Sequence, residues 1–166
     1  LYDSFYIDEE TLYRIDYEND LKLAKRRNYS IKLKDYDYRI CKANLEWLEK
    51  HGDSYEYSGA ERELDNAILE LDKERKNIEL MFNKIYQKVQ EKIDALDINN
   101  KNMEYANKKL EIAELKYELG MISAIELKQN KIEYKNEINK LEMAEQDLFQ
   151  SLLQYRLLLK GMNFIQ

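Results

Sequence analysis

Stepping back from Tyr117 by alternating fours and threes to Leu64, the chain meets sixteen positions. Thirteen are apolar, and the exceptions are Arg75, Lys92 and Asn99. A period of 3.5 residues kept over more than fifty residues is the signature of helices packed side by side in a left-handed sense. A second, shorter seam runs through Tyr134, Ile138, Leu141, Glu145, Leu148, Leu152, Tyr155 and Leu159. The two seams predict one helix of about sixty residues, roughly 90 Å at 1.5 Å per residue, and a returning helix of about forty.

The breaks between these periodic stretches are few and specific. Lys50-His51-Gly52 reads as a basic last turn followed by a residue that tolerates positive φ. Ser58 with Glu61 reads as a capping box opening a helix at about Gly59. Gly120 ends that helix, and Ser123 with Glu126 is a second capping box. Ile122 before it and Leu127 after it are spaced for a hydrophobic staple. Only Met121 and Ile122 separate stop from start, so the chain must reverse into an antiparallel helical hairpin. At the front, Glu9 to Arg27 reads as a short helix capped by Asp8, with a kink at residues 28–30 and a further helix to His51. Residues 52–58 are too few for a strand pair.

The expectation is an all-α fold: a long antiparallel coiled-coil-like hairpin whose central helix is flanked by two shorter ones stacked roughly end to end. It forms a single elongated domain over residues 1–166. Its segments are 9–51, a turn at 52–58, a long helix at 59–119, a tip turn at 120–122 and a returning helix at 123–160.

Composition sharpens this picture. Charged residues make up 36% of 166, proline is absent and glycine occurs four times, which removes most turn punctuation. The net charge of −6, with acids and bases interspersed, argues against nucleic-acid binding, which needs clustered Lys and Arg. No apolar run reaches about 18 residues, so no membrane-spanning helix is expected. Cys41 is the one cysteine and can form no disulfide within the chain. Leu1 rather than Met at the start points to a processed or cut chain, from which any signal peptide or anchor would already be gone, so its absence carries no information.

The stretch from Ala113 to Gly161, AELKYELGMISAIELKQNKIEYKNEINKLEMAEQDLFQSLLQYRLLLKG, resembles the outer-membrane efflux protein (TolC-like) family. The resemblance rests on Tyr117, Gly120, Ser123, Leu127, Ala144 and Leu148. Tyr17 to Glu46 is similar to the family's opening, a short helix leading through an Asn-containing kink into a second helix. The resemblance implies a helical tunnel subunit in the cell envelope, a homo-oligomer in which hairpins wall a conduit. It also implies that Tyr117, Gly120, Ile122, Ser123 and Glu126 lie at a tip that meets an adaptor or inner-membrane transporter partner. Two departures stand out. Residues 51–59 are too short for two membrane-spanning strands, which need about nine to eleven residues each, so no outer-membrane barrel is expected. Only one repeat is present where family protomers usually carry two.

The tip residues also have a plain explanation, since capping energetics of about 1 kcal/mol each account for Gly120, Ser123 and Glu126. Tyr117 falls on the seam, where packing explains it equally well. His51 reads as a cation near a helix C-terminus. The acidic pairs Asp94 with Asp97, and Glu111 with Glu114 and Glu118, are interleaved with lysines and read as solvated faces. The seam's polar members read as register or edge positions. Fourteen tyrosines suit half-buried interfaces and contact surfaces. A second apolar strip, Leu69, Leu80, Ile93, Ile112 and Leu115, points to contacts beyond one seam. No nucleophile–base pair, phosphate-cradling loop or metal-ligand cluster is visible, so neither an enzyme nor a cofactor is expected. The competing expectation is a coiled-coil scaffold or spacer module that binds another protein.

Overall fold

A computed structural model describes residues 15–162. Within them the chain forms α1 (Tyr17–Arg27), α2 (Tyr29–His51), α3 (Ser54–Glu118) and α4 (Ala124–Leu159), with no strand. One long helix of 65 residues has shorter helices packed against it, as the hydrophobic period implies. The capping assigned to Asp8, the residues from Glu9 to Arg14, and Tyr2, Tyr6 and Tyr13 lie outside the described span.

Two boundaries and one turn differ from the sequence expectation. The front helix does not run unbroken from residue 9, because Ile15 and Asp16 are non-helical and α1 begins at Tyr17. Asp16 is its cap, accepting from the Asn19 backbone N–H. The long helix starts at Ser54 rather than Gly59. Asp53 caps it, its Oδ1 accepting from Tyr55 and Glu56 N–H at 2.9 and 2.8 Å. The Asp53 N–H points back to Glu56 Oε2 at 3.4 Å, so Asp53 and Glu56 form the box and Ser58 is a helical residue. Gly52 has φ −92°, an extended conformation rather than a left-handed one, and a Cβ there would lie 2.7 Å from Leu48 Cδ2. The reversal between α2 and α3 thus rests on the capping aspartate rather than on a left-handed glycine.

Two compact units are distinguished. One comprises residues 15–86 and 154–162, the other residues 87–153. In the first, α1 and α2 meet at Asn28, which is fully buried. Its side chain accepts from Ile31 N–H at 3.0 Å to start α2, and its own N–H donates to Ala24 C=O at 3.0 Å to end α1. Tyr17 meets Phe82 and Tyr86 edge to face, and Phe82 packs against Tyr155. The Tyr155 hydroxyl donates to Asp20 Oδ2 at 2.6 Å. The end of α4 stops at Gly161, with φ +87° and Met162 N–H bonded back to Leu157 C=O. A Cβ on Gly161 would lie 2.4 Å from the Arg27 carbonyl oxygen, so only glycine lets α4 finish against the α1–α2 junction. Further along, Ile31, Leu71 and Ile78 form one cluster with Tyr38 packed on it.

In the second unit α3 and α4 are antiparallel partners. Lys92 with Asp147, Lys109 with Glu133, and Glu114 with Lys131 bridge them in descending order. Val89, Ala106, Ala113, Ala144 and Leu148 are buried between them. Glu145 is exposed and its seam position belongs to Ala144. In the other unit the core residue is Leu158, with Leu159 only half-buried. Both shifts are one residue, and Leu148, Leu152 and Tyr155 between them keep the expected seam.

Candidate partner-docking tip

The tip of the α3–α4 hairpin belongs to the second unit. Gly120 has φ +69°, its N–H donates to Tyr117 C=O at 2.9 Å, and Met121 N–H donates to Lys116 C=O at 2.7 Å. These two bonds make a Schellman closure, which satisfies carbonyls that the helix end would otherwise leave open. Two residues later the next helix starts with a reciprocal box. Ser123 N–H donates to Glu126 Oε2 at 2.7 Å, and Glu126 N–H donates to Ser123 Oγ at 3.2 Å. The backbone hydrogen bond from Ser123, followed by the side-chain one, holds the Glu126 carboxyl below the usual carboxylate range. Ile122 and Leu127, the spaced staple pair, are both half-buried.

All five residues singled out in the sequence therefore fall within or beside one reversal. Their exposures differ in a way the heptad does not foresee. Tyr117 is exposed although it continues the seam, because the helices no longer cover each other in the last turn. The most exposed apolar groups are Leu119 at 75%, Met121 at 69% and Ile125 at 81%. None was singled out from sequence. Their signal was present, since three large apolar side chains flank Gly120 at positions off the seam. The tip is thus an apolar knob held by a rigid turn, with Lys116 and Glu118 at its base. A groove of about 500 Å³ opens beside it, with Tyr105, Ile112, Lys116, Ile122, Glu126 and Asn130 among its walls.

The other polar residues singled out behave as solvated or register groups. Asn99 donates to Ala95 C=O at 2.8 Å within its own helix. Arg75 reaches Asp72 at 3.4 Å, while Lys92 crosses to Asp147. Asp97 pairs with Lys101 and Glu114 with Lys131. His51 stacks on Trp47, with Nδ1 at 3.0 Å from the Trp47 carbonyl. Among the described residues no group of three or more His, Cys, Asp or Glu is placed to hold a metal ion. No helix among them is long and apolar enough to cross a membrane.

The second apolar strip has no cover among the described residues. Leu69, Leu80, Ile112 and Leu115 are all exposed, and Ile93 is half-buried. The outer face of α2 is equally open: Tyr29, Leu33, Tyr36, Ile40 and Trp47 are 46–68% exposed. Compared with protein-family models, curated proteins and solved structures, the chain matches none.

Proposed function

We propose that this chain is a structural, non-enzymatic helical subunit of an export or efflux assembly in the cell envelope, in the manner of TolC-like tunnels. Copies pack side by side to wall a conduit, and the knob around Gly120 docks an adaptor or inner-membrane transporter. The observation that carries this is the set of unpartnered apolar faces on α2 and α3. A self-contained hairpin needs one seam per helix, whereas a helix that sits in a wall needs a second on its far side. The tip supports the docking role, since large apolar groups on a turn fixed by a Schellman closure and a capping box offer a preorganised contact.

Native mass spectrometry and negative-stain imaging over a range of concentrations test the conduit. A closed ring with an open centre is the expected result, and a monomer or dimer at every concentration rejects it. The scaffold alternative has its own support in the α3–α4 hairpin, whose seam is filled by its own residues. A monomer that still docks a partner through Met121 and Ile125 would favour that alternative.

A further inference from the structure

Residues 21–34, LKLAKRRNYSIKLK, carry six cations and no acid, in a chain whose other 152 residues hold 21 cations against 33 acids. They are the exception to the interspersed charge of the rest, and they span the junction of α1 and α2. Two of the six hold the first unit together. Lys25 bridges to Glu79 at 2.7 Å and Lys34 to Glu70 at 3.6 Å, which ties α1 and α2 to α3. The Asp16 carboxyl is lowered first by hydrogen bonds from Asn19 and last by Lys22, which is itself exposed. Arg26, Arg27 and Lys32 are exposed and form no ion pair among the described residues.

Helix electrostatics accounts for part of this cluster only. Arg26 and Arg27 stand in the last turn of α1, where the helix dipole favours cations. Lys32 stands at the opposite kind of end. α2 has no acid in its first turn, so the positive end of its dipole meets Lys32 unrelieved. Lys22 and Arg26, four residues apart, repel each other along one face of α1. A groove of about 390 Å³ opens where the two helix ends meet, with Arg26, Lys32 and Tyr36 in its walls. Lys25 and Arg39 line it too, each already held by an acid, Glu79 and Asp35. The chain's own carboxylates leave Arg26 and Lys32 unneutralised, and an anion seated in the groove would relieve their repulsion.

We propose that the groove at the α1–α2 junction binds phosphate groups, with Arg26 and Lys32 as the cations that hold them. Arginine offers a planar fork of donors that fits two phosphate oxygens, and lysine adds a mobile point charge. Tyr36, exposed in the same wall, adds a hydroxyl donor. The groove is shallow and open to solvent, so it suits a phosphate displayed on a lipid surface or repeated along a polymer better than a small molecule that needs enclosure. Acids elsewhere in the chain oppose this little, since exposed charges more than about 8 Å away are largely screened at physiological salt. The site lies within one chain, so it stands whether or not copies close into a conduit.

Two phosphate sources are offered to the full chain. Long-chain polyphosphate is titrated in solution, with polyglutamate as the carboxylate control. Vesicles of phosphatidylglycerol are co-sedimented, with phosphatidylcholine as the neutral control. Binding of polyphosphate alone assigns the site to free phosphate polymers, and binding of phosphatidylglycerol alone assigns it to lipid headgroups. Arg26→Gln combined with Lys32→Gln is expected to weaken the binding at least about 10-fold and to lower its log–log salt slope by about two. Both residues are exposed and without ion pairs, so the melting temperature should not fall. Lys73→Gln combined with Lys101→Gln removes the same charge from exposed positions of α3 and is expected to leave binding unchanged. Failure of both phosphate sources to bind overturns the inference. So does polyglutamate binding as tightly as polyphosphate, or an equal loss in the two double variants. None of these results touches the conduit, which is read from ring formation.

Discussion

At the scale of single residues, two glycines share a backbone conformation but not an environment. Gly120 and Gly161 both have positive φ, yet a Cβ on Gly120 would meet nothing while one on Gly161 would strike the Arg27 carbonyl. Gly120→Ala is therefore expected to cost about 1 kcal/mol from backbone strain alone, and Gly161→Ala more than about 2 kcal/mol. Urea unfolding followed by circular dichroism separates the two, and equal losses would refute the close approach. Asn28→Ala removes the buried cap of α2 and is expected to cost about 1–2 kcal/mol in the same measurement. Tyr155 supplies a pH signature. Burial first, and then the hydrogen bond to Asp20, push its phenol well above the usual tyrosine range. The unfolded chain releases that proton near pH 10 and the folded one does not. Stability is thus complete below about pH 10 and falls as pH rises beyond it. Melting temperatures from pH 8 to 11 should show this decline, shallower in Tyr155→Phe. The stop at Gly120 and the break at Asn28 were legible from sequence, whereas the burial of Asn28, the backbone beside Gly161 and the distant carboxylate on Tyr155 are tertiary facts and were not.

At the scale of elements, the caps decide where helices start, and the sequence was ambiguous where two caps competed. Asp53-Glu56 and Ser58-Glu61 have the same spacing, and the earlier one opens α3. The five residues won by starting at Ser54 bring in Gly59, now mid-helix with open space around its missing Cβ. Gly59→Ala should then stabilise the chain by about 0.5–1 kcal/mol, since glycine inside a helix carries a backbone-entropy penalty. Loss of stability instead would place the helix start back near residue 59. At the tip the box was read correctly because Gly120 left it no competitor. Glu126 is held ionised by the bonds with Ser123, so its contribution is complete above the ordinary carboxylate range and lost as pH falls through and below it. Amide exchange around Ser123, taken relative to the free-chain rate at each pH, should therefore quicken below about pH 4.5. In Glu126→Gln, which keeps an acceptor but cannot titrate, that acceleration should be weaker.

At the scale of the whole chain, the heptad period made the helical class and the α3–α4 reversal legible, because burying one stripe of a long helix requires a partner stripe. The faces left uncovered were half visible. The strip through Leu69, Leu80, Ile112 and Leu115 stood out, while the seam on α2 was hidden by its tyrosines, which serve interiors and surfaces alike. One feature also bears on how the chain comes to be folded. The bond between Asp20 and Tyr155 joins residues 135 apart, whereas Lys109 and Glu133 are separated by 24. Closing the shorter loop costs less entropy, so the hairpin around Gly120 gains its contacts first. During synthesis α1 has no α4 to lean on until the last turns leave the ribosome, on the order of ten seconds after α1 itself emerges. For that interval Asp20 and Phe82 stand without Tyr155, and it is then that a chaperone or a neighbouring nascent chain has its opportunity to bind there.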